Sequence, residues 1–385
     1  MNVTHYFHRL RLEGGGPVRG VLDLSAALHA RGHRVTILTC DASDAPDDWK
    51  HENASSPRVL TLPPAGLPGG LFTPSQARRL DDALQGSDVV HLHGVWTPSN
   101  VQVASACRRA GIPYVWSIRG TLDDWCMGER AVKKRLFLAA GAGRSLARAA
   151  AIHLTAEDEL RQASRWFPRE LGVVIPNLLD LEPFRSLPGP GLARERFAQI
   201  DPARPTVLFL SRVHYKKGVP LLIDAAADLI ASGTDLTVLI AGNGENAYLD
   251  RLRAHAARRG VESRVHLVGF VSGALKLSLY QAADIFVLPT SQENFGFVLF
   301  ESLACGTPLV TTRGVDTWPE LVESGGGVIA DASPPAIADA MRDLLADRDR
   351  LRSMGASGRR WVFERLEPVA ILARFEAMYA RAVGR

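Results

Sequence analysis

The chain has 385 residues, 46% hydrophobic and 22% charged, with 45 Lys and Arg against 41 Asp and Glu. At roughly 100–200 residues per domain this length suggests two domains, and the ordinary apolar content excludes a disordered chain. A net charge of +4 (45 − 41) is too mild to mark a nucleic-acid binder.

Short β-branched runs alternate with helix-period segments, twice over. In the first half the expected strands are NVTHYF, HRVTILT, RVLTLP, DVVHLHG, YVWSIRG, AIHLTA and GVVIPN. Helical stretches lie between them, among them GVLDLSAALHARG, ending in Gly32, and NVQVASACRRAG, ending in Gly111, where Gly suits the residue after a helix end. The stretch Pro176–Gly191, with four prolines and two glycines, has the composition of an interdomain linker. The second half repeats the scheme with PTVLFLSR, LTVLIAG, RVHLVGF, ADIFVLP, PLVTT and GVIA, and a last helix runs from about Glu367 to Arg381. Near-continuous apolar strands separated by helices indicate parallel sheets covered on both faces. The expected fold is therefore α/β: two doubly wound, Rossmann-like domains, residues 1–183 and 184–366, facing across a cleft, with residues 367–385 as a C-terminal helix.

Cys40, Cys107, Cys126 and Cys305 show neither C-x-x-C spacing nor a zinc pattern, which reads as buried free thiols in a reducing cytoplasm. The start, MNVTHYFHRL, alternates like a strand and lacks a signal-peptide block, and no run approaches a membrane span. The expectation is a soluble cytoplasmic protein, at most peripheral at the inner face of the cell membrane.

The segment ADIFVLPTSQENFGFVLFESLACGTPLV is the most informative. A strand ends at Pro289, a polar loop follows, and a helix is expected from about Gly296 to Ala304. That helix is apolar almost all round, hence buried, and Glu301 shares a face with Phe297, Phe300 and Ala304. A carboxylate there is expensive unless something polar meets it. Glu293 stands eight residues earlier, just before the helix N-terminus, where the amides of Asn294, Phe295 and Gly296 could donate to the same ligand. Two readings stay open: sugar-binding carboxylates, or an acid favouring the helix dipole plus a Glu paired to a core Arg.

In PTVLFLSRVHYKKGVPLL, Arg212 falls just past a strand end and Lys217 follows, before Gly218 opens a helix. Two fixed cations there suit a diphosphate; solvated surface cations are the alternative. Gly14, Gly15 and Gly16 join the first strand to the first helix and let backbone approach a phosphate or sugar. Gly242-x-Gly244-x-x-Ala247 matches a dinucleotide fingerprint and reads as a phosphate-side or packing loop. His91 and His93 share one strand face, as core residues or with one reaching the cleft. The D-x-D at Asp347 and Asp349 lies in a charged, solvated helical segment, so no metal site is expected.

In combination these motifs resemble a family. ENFGFVLFE, from Glu293 to Glu301, resembles the E-x-F-G-x₄-E signature of the retaining, nucleotide-sugar-dependent glycosyltransferases of family 4, which have the GT-B fold. FLSRVHYKKG resembles that family's strand-end Arg and Lys-Gly pair, and the glycine run, HLHG, VIPN, IAGNGE and HLVGFV follow in the family's order. The resemblance implies that Arg212 and Lys217 hold the donor diphosphate without a metal or other cofactor, and that Glu301 binds the nucleotide ribose. It also implies that Glu293 with the amides of Asn294, Phe295 and Gly296 orients the donor sugar, that Gly269 and Phe270 meet the base, and that Gly15 and Gly16 lie under the diphosphate. On this view the first domain takes the acceptor, the second takes the donor, and the last helix packs back on the first. One departure stands out: many relatives carry His after the fifth strand, and this sequence reads SIRG, with Arg119. Arg is always protonated and cannot be a base. Arg119 either contacts an anionic donor or acceptor group, beside His93 in the substrate site, or pairs with Asp123 or Asp124.

The implied reaction transfers a glycosyl unit from a UDP- or GDP-linked sugar, such as GDP-mannose, to a hydroxyl of a glycan, a lipid-linked glycan or another glycoconjugate, as in polysaccharide biosynthesis. A nicotinamide-dependent enzyme and a non-catalytic nucleotide-sugar binder are the alternatives. From Arg108 to Arg148 nine basic residues stand against three acidic, a local balance of +6. Residues 129–148 form a basic amphipathic stretch, read either as a solvated face or as a contact with an anionic membrane surface.

Overall fold

A computed structural model of the chain describes residues 1–11, 15–51, 55–63, 67 and 70–384; Gly14 of the glycine run lies outside them. The chain divides into two compact units, Met1–Leu179 with Pro368–Arg385, and Asp180–Glu367. The first boundary thus falls at 179/180 rather than 183/184, and the second at 367/368 rather than 366/367.

Each of the thirteen runs read as strands forms one. In the first unit they are β1 (Asn2–Tyr6), β2 (Arg34–Thr39), β3 (Arg58–Thr61), β4 (Val89–His93), β5 (Tyr114–Ser117), β6 (Ala151–Leu154) and β7 (Gly172–Val174), in the parallel order β3-β2-β1-β4-β5-β6-β7. In the second they are β8 (Thr206–Leu210), β9 (Thr237–Ala241), β10 (Val265–Gly269), β11 (Ile285–Leu288), β12 (Leu309–Thr312) and β13 (Gly327–Ala330), ordered β10-β9-β8-β11-β12-β13 and again parallel. Both orders reverse direction beside the first strand of their unit, the arrangement in which ligands bind beyond the strands' C-terminal ends.

Helices supply the crossovers. The first unit has α1 (Gly16–Ala30), α2 (Pro74–Leu84), α3 (Pro98–Ala110), α4 (Asp124–Gly128), α5 (Ala131–Phe137), α6 (Gly143–Leu146) and α7 (Glu157–Ala163). The second has α8 (Glu182–Arg185), α9 (Gly191–Arg196), α10 (Val219–Ala231), α11 (Asn246–Arg258), α12 (Gly273–Ala282), α13 (Phe297–Ala304), α14 (Trp318–Glu323), α15 (Pro334–Leu345) and α16 (Arg348–Arg365); α17 (Pro368–Val383) belongs to the first unit. Local chemistry sets the ends. Gly32 (φ +87°) and Gly111 (φ +69°) close α1 and α3 in the left-handed region, and Thr73 with Gln76 forms a reciprocal cap on α2.

Strand alternation sorts the first unit's core onto two faces. Tyr6, Leu92, Trp116 and Ile152 pack on one side with Leu80 of α2 and Val103 of α3. Val3, Val35, Val89 and Val115 pack on the other with Leu24 and Leu28 of α1 and Ile371, Phe375 and Tyr379 of α17. Each such side chain is worth about 1.5–3 kcal/mol when fully buried, so α17 is an integral part of this unit's core. Cys107 and Cys305 are buried, whereas Cys40 and Cys126 are half-buried, and all four are free thiols.

Candidate functional site

In the second unit the candidate residues gather past the ends of β8 and β11. Arg212, two residues beyond β8, is exposed. The next residue, Val213, bridges to Gly244, and its N–H donates to the Asn243 carbonyl at 2.7 Å. A Cβ on Gly242 would stand 1.8 Å from the Ser211 carbonyl oxygen, and one on Gly244 2.5 Å from that of Val213. These glycines therefore let two turns press backbone on backbone, which explains the fingerprint match as packing.

Lys217 closes a 3₁₀ turn, Tyr215–Lys217, that His214 caps. Gly218 follows at φ +69°, and a Cβ there would stand 1.9 Å from the Pro289 carbonyl oxygen. This contact holds the lysine loop against the end of β11. Partial burial, then the cations of Arg212, Lys216 and Lys217, lower the pKa of His214, so the loop is electropositive. Lys217 is buried and its ammonium pairs directly with Glu293. Glu293 thus has a lysine partner in addition to its place before a helix.

The loop after β11 is held by its backbone. Glu293 N–H donates to Gly314 at 2.8 Å, Asp316 N–H donates back to the Glu293 carbonyl at 3.0 Å, and Asn294 Nδ2 donates to the Asp316 carboxylate at 3.0 Å. Phe295 is buried, stacked on Phe300 at 4.7 Å, and Gly296 (φ +70°) turns the chain into α13. Among the described residues the amides of Asn294, Phe295 and Gly296 donate to no protein acceptor, which leaves three N–H groups at a helix start for a ligand.

Glu301 is buried on α13, as its apolar helix requires. Its partners include Lys276 Nζ at 3.1 Å and the Tyr280 hydroxyl at 3.3 Å, both from α12. Sequence reading missed these two; the available signal was that Lys276 is the lone charge in GALKLSLYQA. Gly269 (φ +79°) ends β10, and Phe270 after it is 68% exposed, an aromatic face offered outward.

The first unit carries a buried polar tier at the C-terminal ends of β1, β4, β5 and β6. His5, His91, His93, Ser117 and His153 share one sheet face under α1 and α17. The hydrogen bonds determine every tautomer. His153 Nε2 faces the Ile175 carbonyl at 2.8 Å and must carry the proton, so Nδ1 accepts from the Ser117 hydroxyl at 2.5 Å. Ser117 in turn accepts from His91 Nε2 at 2.6 Å, and His91 Nδ1 accepts from the Tyr379 hydroxyl at 2.7 Å. Arg119 Nε donates to His93 Nδ1 at 3.2 Å, and His93 Nε2 then donates to His5 Nδ1 at 3.0 Å. His5 Nε2 remains buried and unpartnered.

The ring nitrogens of His5, His91 and His93 lie close enough together to suggest a metal. The tier does not fit one: each ring's lone pair already accepts a hydrogen bond, and a divalent ion would sit beside a guanidinium. Burial, then the nearby Arg119 cation, pushes the pKa of His5 down to about 3; burial, then the neighbouring His5 and His153 and last Arg119, holds that of His91 well below its ordinary value, and burial also holds His153 at about 3. His93 has no ring nitrogen left for a ligand; its role is to hold Arg119.

Arg119 is buried with φ +53°, a left-handed conformation costly for a residue with a Cβ. Its second acceptor is Asn177 Oδ1 at 3.2 Å, and Gly20 of α1 makes room: a Cβ there would stand 3.2 Å from the guanidinium. Among the described residues no ion pair joins Arg119 to Asp123 or Asp124: Asp123 caps α4 and Asp124 pairs with Arg165. Burial lowers the pKa of Arg119 to about 10, with Glu159 opposing, so it stays charged at neutral pH. Gly15 (φ +76°) caps α1 and Gly16 begins it.

Comparison with known proteins follows this division. Residues 15–178 match the glycosyl transferase 4-like domain, and residues 194–361 match glycosyl transferases group 1. The D-inositol 3-phosphate glycosyltransferase of Segniliparus rotundus is 28% identical over 366 residues, covering 90% of this chain and 80% of that protein. The phosphatidyl-myo-inositol mannosyltransferase of Mycobacterium tuberculosis is 27% identical over 388 residues, covering 96% and 94%. Among solved structures, Anabaena HepE in complex with UDP superposes with a TM-score of 0.80 at 19% identity, covering 98% of this chain and 99% of that one, a likeness of fold. With both units matched in order and the Glu293-to-Glu301 segment in place, the chain belongs to the GT-B glycosyltransferases of the family 4 type.

Proposed function

We propose that the enzyme transfers a glycosyl unit from a uridine- or guanosine-diphosphate sugar to a hydroxyl of a glycan, lipid-linked glycan or other glycoconjugate, with retention and without a metal. The observation that carries this reading is the Lys217–Glu293 pair beside three ligand-free amides at the start of α13. A buried ammonium already balanced by a carboxylate is placed to share its charge with a diphosphate, and Arg212 adds a fork donor. Glu293 and the amides of Asn294, Phe295 and Gly296 orient the donor sugar. Glu301, ion-paired with Lys276, accepts from the ribose, and Phe270 after Gly269 offers the base a stacking face.

In the reaction the bond between the anomeric carbon and the diphosphate oxygen breaks, and the acceptor oxygen bonds that carbon on the same face. The acceptor proton passes to the departing diphosphate, so no protein nucleophile is required. Arg119, charged and held by two neutral acceptors, binds an anionic group of donor or acceptor, with His93 as its positioning residue. The names of the relatives make inositol-containing acceptors and mannosyl donors the first pairs to assay. The deciding experiment is Lys217→Ala with the donor it turns over: loss of a fixed charge donor lowers turnover by about 10²–10³. Near-normal turnover would overturn the diphosphate assignment, and inhibition by EDTA that added Mg²⁺ restores would overturn metal independence.

A further inference from the structure

The strand β5 runs into a turn that its own sequence does not favour. Arg119 (φ +53°) and Gly120 (φ +67°) are left-handed in succession, and the Thr121 N–H donates across them to the Ile118 carbonyl at 3.2 Å. Two central residues with positive φ are the pattern of a type I′ turn, which selects Asn, Asp and Gly and disfavours Arg. Contacts from outside must therefore hold it. Trp96 Nε1 donates to the Thr121 carbonyl at 2.9 Å, and the Gly120 N–H donates to Glu159 Oε1 at 2.5 Å.

Glu159 lies on α7, which follows β6, the strand beside β5, and it is fully buried. Its other oxygen, Oε2, accepts from the Thr155 N–H at 2.6 Å and from the Thr155 hydroxyl at 3.0 Å. A carboxylate serving only the start of α7 would need no more than this, and Glu157 and Asp158 already place acids in that turn. Oε1 reaches instead to a loop 39 residues back. A buried carboxylate is expensive unless bonds and an opposite charge meet it. The opposite charge is Arg119: Glu159 is the largest influence opposing the effect of burial on that guanidinium. His93 Nδ1 and Asn177 Oδ1, both neutral, fix the guanidinium's direction.

We propose that Glu159 is a positioning residue for the transfer reaction: through the Gly120 amide it sets the left-handed turn that presents Arg119 to an anionic substrate group, and it supplies the buried counter-charge of that guanidinium. The inference rests on the reading of Arg119 as an anion-binding residue. It assigns to Glu159 no contact with substrate and no proton transfer.

The test is a double-mutant cycle on single-turnover rates of the enzyme with the substrate pair that assay establishes, GDP-mannose with an inositol acceptor being tried first. Glu159→Gln keeps the size of the side chain and removes its charge. Alone it lowers the rate at least about tenfold; in the Arg119→Gly background it changes the residual rate by less than about twofold. Two substitutions that act through one group do not add, whereas loss of a merely structural carboxylate lowers both backgrounds alike. Thr155→Val takes one hydroxyl donor from the same carboxylate and leaves its charge. It lowers the rate by about threefold with the same non-additivity, and it stands in should Glu159→Gln not fold. Near-normal rates in the folded variants, or equal losses in both backgrounds, would each overturn the role of Glu159. Full activity of Arg119→Gly would instead overturn the reading of Arg119 on which that role rests.

Discussion

Acidification should unfold the first unit well above the pH at which carboxylates titrate. Four imidazoles, His5, His91, His93 and His153, are neutral and buried in one hydrogen-bonded tier, His5 and His153 held at about 3 and the other two also well below 6.5. A histidine whose folded pKa is depressed binds its proton in the unfolded chain first. The stability is therefore complete well above pH 6.5 and is lost as pH falls through 6.5 toward the folded value. Each group contributes a limiting slope of about 1.4 kcal/mol per pH unit, so four together remove about 5 kcal/mol between about pH 8 and pH 5.5. That is comparable with the whole stability of a typical domain, about 5–15 kcal/mol. Urea unfolding across this range, with hydrogen exchange resolved by segment, is the assay. Protection should fall in β1, β4, β5 and β6 and persist in β8 and β11, whose unit lacks a buried histidine among the described residues. A midpoint unchanged down to about pH 5.5 would refute the neutral tier.

Tyr379→Phe removes the donor to His91 Nδ1 and should lower the first unit's stability by about 1–3 kcal/mol in the same urea assay, with no direct effect on donor binding. Arg119→Gly relieves a left-handed residue worth about 1 kcal/mol while deleting the guanidinium; near-normal stability with strongly reduced turnover is expected, and full activity would remove Arg119 from the site. Gly218→Ala forces a methyl group against the Pro289 carbonyl, so a loss of about 3 kcal/mol or more, or no folded protein, should appear in thermal melts. Glu301→Gln leaves Lys276 without its carboxylate and should raise KM for the nucleotide sugar more than it lowers kcat, as measured in initial-rate kinetics.

Periodicity and punctuation were enough to locate the strands and the helix stops. A parallel strand buried on both faces is an uninterrupted apolar run of local origin, and Gly32, Gly111, Gly218 and Gly296 mark turns that need positive φ wherever the rest of the chain lies. Burial of Glu301 was legible for the same reason, since its helix is apolar all round. Its partner was not: Lys276 lies 25 residues away on another helix, and only packing selects it over the abundant arginines. Lys217 and Glu293 were each singled out, yet their pairing spans 76 residues and depends on β8 and β11 being neighbours. The histidine tier lay furthest from view. His91 and Tyr379 are 288 residues apart and meet only because α17 returns to the first unit's sheet. Short-range sterics and hydrophobic period thus determine the elements, whereas the charge partners and tautomers of the site follow from which strands become neighbours, a non-local choice made by the burial of whole faces.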